Sequence, residues 1–446
     1  MQVPARIILA GHPASYGRGL AYGTFSGHHL LNVPAGRMGV DPAREAGFAD
    51  YLRDQGLNYS AADFVPRSVY GAYLEACLDA AAGRASPGVT LERCRVNVQG
   101  LVSHGGSGLR GQRRLLLQDG SALDADQVVL ATGNFASRPP FGGRHLPWDG
   151  TPFLGSPWAT LDAETLSAPG DVLLVGSGLT AMDMALQLAR LGHQGRIVMV
   201  SRRGQLAKVH RHHDTAPRSD WVEADFGAGE TCLRNLLREL RRRIARAAQQ
   251  GGDWRDVVGS LRAQTVRLWQ QLPARGKAQF VRHLAPYWDV HRHRAAPEVG
   301  GRLEKLMQTG QVTLWAGTLT GLALRQDGSA DVSIRRRGQT GSVTTAFKAV
   351  INCIGPCTDV TQLDDSLFRQ LLAAGEIVPD PMRLGLQGAS GYELLDAAGQ
   401  RNVGLYYIGP FLKADYWEAT AVPELRVHAQ ALARQIAEQA LIRVKV

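Results

Sequence analysis

Gly176, Gly178 and Ala181 stand at G-x-G-x-x-G/A spacing, with Ser177, Leu179 and Thr180 completing the turn, and Ser201-Arg202-Arg203 follows after one further apolar run. Small residues at that spacing suit a pyrophosphate. Gly176 permits a tight turn, Gly178 leaves room for phosphate oxygens to approach backbone N–H groups at a helix N-terminus, and Ala181 lets helix and strand pack closely. An NAD site usually places an acidic residue at the end of the next strand, where it binds the ribose 2′-hydroxyl. Two guanidinium groups suit a 2′-phosphate instead, so Arg202 and Arg203 favour NADPH over NADH. A Rossmann-like turn without a ligand is the plain structural alternative.

These residues need two parallel strands and a helix to hold them. Val172–Val175 is a continuous apolar run, as expected of a strand covered on both faces, and Arg196–Val200 supplies the second strand. Upstream, Arg6–Gly11 reads as a strand, followed by a glycine-rich loop with too little periodicity for a helix. Asn32–Gly39, NVPAGRMG, brings small residues together in a way that allows close approach to a flat or phosphorylated ligand, or forms an ordinary surface loop. FADYLRDQG and the stretch from Phe64, with Pro66 at its start, have helical spacing. Leu91–Val98 and Arg114–Leu117 read as antiparallel strands.

A buried strand at Gln127–Leu130 runs into Ala131-Thr132-Gly133, and a similar strand and turn recur at Ala349–Pro356. The recurrence implies one nucleotide domain interrupted by another. Strands are expected at 312–316, 320–325 and 330–336, and at Gly404–Ile408 before Gly409-Pro410. Pro423 lies at or near the start of a long amphipathic helix whose dipole presents positive charge at its N-terminus. The expected fold class is α/β: two nested Rossmann-like dinucleotide-binding domains with a helical insertion at about 205–310. The expected boundaries are 1–167, 168–344 and 345–446.

With 446 residues and 44% hydrophobic content, the chain can bury more than one core. It lacks an apolar run of membrane-spanning length and a secretory start, which makes a soluble cytoplasmic protein the expectation. Five scattered cysteines argue against a disulfide framework. Cys353 and Cys357 are either buried structural thiols or a redox pair. The net charge of +10 is concentrated between residues 201 and 300, where 19 Lys or Arg face 10 Asp or Glu, a net +9. Six arginines between Leu233 and Arg246 fit a solvated helix face or an anion-binding surface, and no nucleic-acid module accompanies them. His210, His212, His213 and the run Trp288–Arg294 have no ligand spacing for a metal, and none is expected.

The strings GRGLAYGT, NVPAGRMG, FVPRSVYGAYL, VLATGNF, VGSGLTAMD, SRRG, WDVHRHRAAPEV, INCIGP and WEATAVPELR resemble a family of bacterial FAD- and NAD(P)-binding proteins. That family is related to two-dinucleotide flavoprotein reductases and N-hydroxylating monooxygenases. The resemblance implies an FAD-type domain interrupted by an NADP-type domain, and an FAD- and NADPH-dependent oxidoreductase, monooxygenase or reductase, acting on a small molecule. No nucleic-acid or membrane partner is implied. It places Arg18, Gly19, Tyr22, Asn32 and Arg67 on the FAD site, with Thr132, Gly133, Gly409 and the helix start Ala421, Val422, Pro423 and Glu424 nearby. One departure stands out: the family's first strand and its glycine fingerprint have no counterpart, and Gly11-His12 stand where the family places an acidic residue. Either the true start lies upstream, or the chain is a degenerate member that keeps only its NAD(P) site and serves as a non-catalytic nucleotide-binding or interaction protein.

Overall fold

A computed structural model describes residues 4–11, 16–24, 26–103, 112–141, 144–158, 169–211 and 232–445. His12, His212 and His213 therefore lie outside the described residues. The chain divides into two compact units, one made of Met1–Gly27, Val33–Phe135 and Cys357–Val446, the other of His28–Asn32 and Ala136–Pro356.

In the first unit β1 (Ala5–Ala10) pairs in parallel with β2 (Val89–Cys94). β3 (Val98–Ser103), β4 (Arg113–Leu117) and β5 (Ala122–Ala125) form an antiparallel meander. This corrects the expectation of an antiparallel partnership between Leu91–Val98 and Arg114–Leu117: residues 89–94 join β1, and β3 begins only at Val98. Alternation identifies a strand but not its partner. β6 (Val128–Leu130) ends at the Ala131-Thr132-Gly133 turn.

The second unit holds β7 (Asp149–Gly150), β8 (Phe153–Leu154), β9 (Val172–Val175), β10 (Ile197–Ser201), β11 (Val312–Leu324), β12 (Ala330–Arg336), β13 (Val343–Phe347) and β14 (Ala349–Asn352) in one sheet of order β13-β12-β11-β10-β9-β14-β8-β7. The four central strands, β11, β10, β9 and β14, run parallel. β9 and β14 are buried at every residue, which is why β9 and the first three residues of β14 read as apolar runs. Two strands expected at 312–316 and 320–325 are one strand. β11 pairs in parallel with β10 through its first five residues and antiparallel with β12 from Gly317 onward, with an irregularity between Leu319 and Gly321. One sheet face closes over Leu173, Val175, Val198, Val200, Val332 and Ile334. On the other side, the helix Leu179–Arg190 buries Ala181, Met182, Met184, Ala185 and Leu188.

Helices fill the crossover from β10 to β11. Leu233–Gln249 carries the six arginines; its Leu236 and Leu240 pack toward Leu261 and Leu268, while Arg242 and Arg243 pair with Glu239 at 2.7 Å each. Trp254–Ser260, Thr265–Gln271, Ala274–Gln279 and Ala285–Arg292 follow, the last two joined by a π-helical turn at Phe280–Leu284. The final helix of the crossover, Pro297–Gln308, packs on Leu179–Arg190 and on β11.

The chain then re-enters the first unit, where β15 (Glu393–Leu395) and β16 (Arg401–Tyr407) complete a sheet of order β15-β16-β6, β16 running parallel to β6. Its core gathers Leu101, Leu130, Phe368, Leu405, Tyr407 and Phe411. The last helix spans Val422–Lys445, so Pro423 is its second residue, a position where a missing N–H costs nothing. No helix among the described residues is long and apolar enough to cross a membrane.

Candidate functional site

The half-site of the second unit is built around Gly178, the N-cap of the helix Leu179–Arg190. A β-carbon placed on Gly178 would meet nothing within 4 Å, so the space before the first helical turn is open. The amides of Leu179, Thr180 and Ala181 open that turn and have no intrahelical acceptor. Gly176 does something else. With φ +129°, it faces the backbone of Cys353 so closely that a β-carbon would sit 2.5 Å from the Cys353 carbonyl oxygen. Its small size serves the packing of β9 against the end of β14, and its amide bonds the Val200 carbonyl at 2.8 Å.

Ser177 is buried, and its hydroxyl is hydrogen-bonded to Ser201 Oγ at 2.7 Å and to the Gln205 carbonyl at 2.6 Å. Ser201 Oγ in turn accepts from the Gly204 amide at 3.1 Å. The two serine hydroxyls therefore lock the Arg202–Gly204 turn to the glycine turn, a pairing that motif spacing does not reveal. The two arginines at this turn differ. Arg202 is exposed and has no hydrogen-bond or ion-pair partner among the described residues. Arg203 lies over the Tyr287 ring at 4.8 Å and donates to Tyr287 Oη at 3.2 Å and to the His283 carbonyl at 3.3 Å. An open glycine cradle, free helix amides and an unpartnered guanidinium together fit a dinucleotide bearing a 2′-phosphate.

Asn352 closes β14 fully buried; its amide donates to the Arg138 carbonyl at 2.9 Å and its oxygen accepts from the Ile354 amide at 3.3 Å. Cys353 is buried beside Asp183, and burial first, then that carboxylate, pushes its thiol far above the ordinary value. A thiol held so strongly in its protonated form is a poor thiolate nucleophile, as suits a buried structural thiol. Asn32 falls in the second unit, with its carbonyl 3.0 Å from His210 Nε2.

In the first unit, the helix Gly19–Tyr22 occupies part of the stretch expected to be loop: four residues are too few to show periodicity. Arg18 pairs with Glu75 at 2.5 Å, and its Nε is buried without a partner. Gly19, at φ +56°, faces open space. Tyr22 packs edge-on to Tyr70 at 4.8 Å, and burial raises its hydroxyl against the opposing pull of Arg67, the first residue of the helix Arg67–Gly83. The Tyr70 hydroxyl is buried and unpartnered.

The glycines of NVPAGRMG have a packing reason. A β-carbon on Gly36 would stand 2.9 Å from the Ala61 β-carbon, and one on Gly39 would stand 2.2 Å from the Arg44 carbonyl oxygen. They bring the loop against its own neighbours. Arg426, in the first turns of the last helix, donates to the Gly39 carbonyl at 3.0 Å and pairs with Glu45 at 2.8 Å, tying the loop to the helix that starts at Ala421, Val422 and Pro423.

The ends of the parallel neighbours β6 and β16 both turn at glycine. Gly133 has φ +66° with open space at its β-carbon position, and Gly409 has φ +137° with Tyr407 Oη at 2.9 Å. Thr132 bonds the Tyr407 hydroxyl. The open positions at Gly19 and Gly133 and the orphaned donors of Arg18 and Tyr70 are features that a flat, polar-edged group such as a flavin would use. The described residues of this unit hold no strand, glycine turn and helix like that at Gly176–Ala181.

Residues 2–135 match a family model described as FAD-NAD(P)-binding. No curated protein sequence matches the chain. The structure is similar to the reduced form of ornithine hydroxylase PvdA from Pseudomonas aeruginosa, at 15% identity over 97% of this chain and 92% of that one, with a TM-score of 0.62. DfoA bound to FAD, the cadaverine monooxygenase of desferrioxamine biosynthesis in Erwinia amylovora, gives 14%, 98%, 95% and 0.62. The Kutzneria sp. 744 ornithine N-hydroxylase KtzI, with reduced FAD, NADP+ and L-ornithine, gives 13%, 98%, 99% and 0.60. These likenesses, spanning nearly the whole of each chain, show that this protein has the α/β fold of two-dinucleotide flavoproteins.

Proposed function

We propose that this protein is an FAD-dependent, NADPH-using oxidoreductase of the monooxygenase type, acting in the cytoplasm on a small molecule. The observation that carries the reading is the half-site at Gly178 and Arg202: an open glycine at a helix N-terminus, with an exposed, unpartnered guanidinium at the end of the adjacent strand. Ser177, Leu179, Thr180, Ala181 and Ser201 shape this site, and Arg203 braces it. Arg18, Gly19, Tyr22, Asn32, Arg67, Thr132, Gly133, Gly409, Ala421, Val422 and Pro423 are the residues proposed for FAD.

Bound together, the two cofactors would supply the redox chemistry, hydride passing from NADPH to flavin and electrons from flavin to dioxygen or an organic acceptor. The chain's own task is to bind, orient and shield. The helix-start amides after Gly178 receive phosphate oxygens, Arg202 reads the 2′-phosphate, and the serine pair fixes the turn that carries it. The three similar structures are named as enzymes acting on ornithine or cadaverine, which makes small primary amines the first acceptors to try.

The experiment is direct. Purified protein supplied with FAD is expected to retain flavin absorbance through gel filtration, to bleach with NADPH without oxygen, and to recover on aeration. A protein that stays colourless while binding NADPH supports the second reading, a non-catalytic nucleotide-binding protein. One observation favours that reading: the described residues of the first unit hold no strand, glycine turn and helix arranged like Val172–Arg190.

A further inference from the structure

We infer that Arg337, in the turn that follows β12, is the partner of Arg202 in reading the 2′-phosphate, and that Arg203 is a positioning residue that does not touch it. The inference rests on the NADPH reading above. Ser201 lies opposite Ala316 in the parallel pair β10–β11, and the Ala316 carbonyl accepts from the Arg337 amide at 2.9 Å. Arg337 thus leaves β12 two strand spacings from Ser201, about 10 Å, a span that two arginine side chains close around one phosphate.

The face is also right. Trp315 packs toward the core under the meander, and Arg336 lies over its ring at 3.8 Å. Alternation along β11 turns Ala316 to the opposite face, and Arg337, one residue beyond Arg336 and bonded through its amide to the Ala316 carbonyl, stands beside it as β12 ends. The Arg202–Gly204 turn folds over that same face, since a β-carbon on Gly204 would come within 2.8 Å of the Ala316 β-carbon. Arg337 is exposed, and its guanidinium, like that of Arg202, has no hydrogen-bond or ion-pair partner among the described residues. Arg203 points elsewhere, held by Tyr287 and the His283 carbonyl. Arg335 shares the face of Arg337 but pairs with Thr318, two residues further from Ser201 along β11, and serves as the control.

The test is the binding of 2′,5′-ADP and 5′-AMP, with NADPH and NADH as second probes, to the full chain and to R202Q, R337Q, R335Q and R203Q, each checked for an unchanged melting temperature. R202Q and R337Q are each expected to lose about tenfold in affinity for 2′,5′-ADP and NADPH, the loss of one charge-assisted contact, with 5′-AMP and NADH unmoved. R335Q should match the unaltered protein, and R203Q should weaken phosphorylated and unphosphorylated ligands alike. If 2′,5′-ADP is preferred and R202Q abolishes the preference while R337Q keeps it, or if R203Q alone loses it, the assignment of Arg337 is wrong and the NADPH reading stands. If the unaltered protein binds 2′,5′-ADP no better than 5′-AMP, both are overturned.

Discussion

The carbonyl oxygen of Cys353 occupies the space that a side chain on Gly176 would need, 2.5 Å from the position of its β-carbon, whereas Gly178 two residues on faces nothing within 4 Å. The glycine motif therefore divides into a packed residue and an open one, the second being the residue proposed for binding. Gly176→Ala combines that collision with a positive φ and is expected to lower stability by about 3 kcal/mol, read as a drop in the urea midpoint. Gly178→Ala, at φ −78°, should melt like the unaltered protein while binding NADPH about tenfold more weakly, because its methyl group intrudes where phosphate would approach. Equal effects of the two substitutions on stability would contradict this division.

Arg113 makes the second prediction. It is buried at 3% exposure, bonded to Ser103 Oγ at 2.8 Å, to Glu376 at 3.3 Å, to the Val403 carbonyl at 3.1 Å and to Asn402. Removing it strands the half-buried Glu376 carboxylate. Arg113→Ala should cost about 3–5 kcal/mol by urea unfolding, and adding Glu376→Gln should recover part of the loss, because the stranded charge goes with it. A double variant as unstable as the single one would assign the cost to packing alone.

His428 sets a dependence on pH. Burial lowers its pKa, with Glu424 pulling weakly the other way, and Tyr392 lies 3.0 Å from its Nδ1. The Tyr392 hydroxyl, pushed up to about 12 by burial and then by Tyr416, stays protonated and can donate to the neutral ring. Because the unfolded chain binds this proton more readily than the folded one, the contribution of His428 is present above the ordinary histidine value of about 6.5 and is lost as pH falls toward the folded pKa. The melting temperature should drop between about pH 7.5 and pH 5.5, and His428→Gln should flatten that drop. An unchanged slope would place the titration elsewhere.

Thiol reactivity provides a fourth check. Cys232 is exposed at the N-cap of Leu233–Gln249, where the amides of Asn235 and Arg234 lower its pKa, while Cys353 and Cys357 are buried. Iodoacetamide at neutral pH should label Cys232 fastest and leave Cys353 unlabelled until denaturant is added. Cys232→Ser should remove the fast phase.

The segment from Val172 to Ser201 was legible because both of its strands are buried and its glycines sit at a spacing that few other structures require. The pairing of β2 with β1 was not, since alternating strands look alike whichever neighbour they join. β13 leaves no signal in the sequence: VTTAF is exposed or half-buried except at Phe347 and carries no apolar run. At the candidate site, the residue types of Arg202 and Arg203 were plain, but their different fates were not. Tyr287 and His283, which hold Arg203, are 84 and 80 positions away in sequence, and the register bringing Arg337 beside Ala316 exists only once the sheet has formed.

The single crossover between β10 and β11 holds everything from Arg202 to Gln311, although the strands it joins are neighbours and the helix Pro297–Gln308 alone bridges them in the ordinary way. Closing so long a connection instead of a single-helix one costs only about 2 kcal/mol of chain entropy, because the penalty rises by about 0.6 kcal/mol for each doubling of length. The helices before Pro297 thus form a tenant segment, free to change in length and sequence while the sheet stays intact, except where Tyr287 and His283 grip Arg203. That grip gives an otherwise replaceable insertion a hold on the Arg202–Gly204 turn.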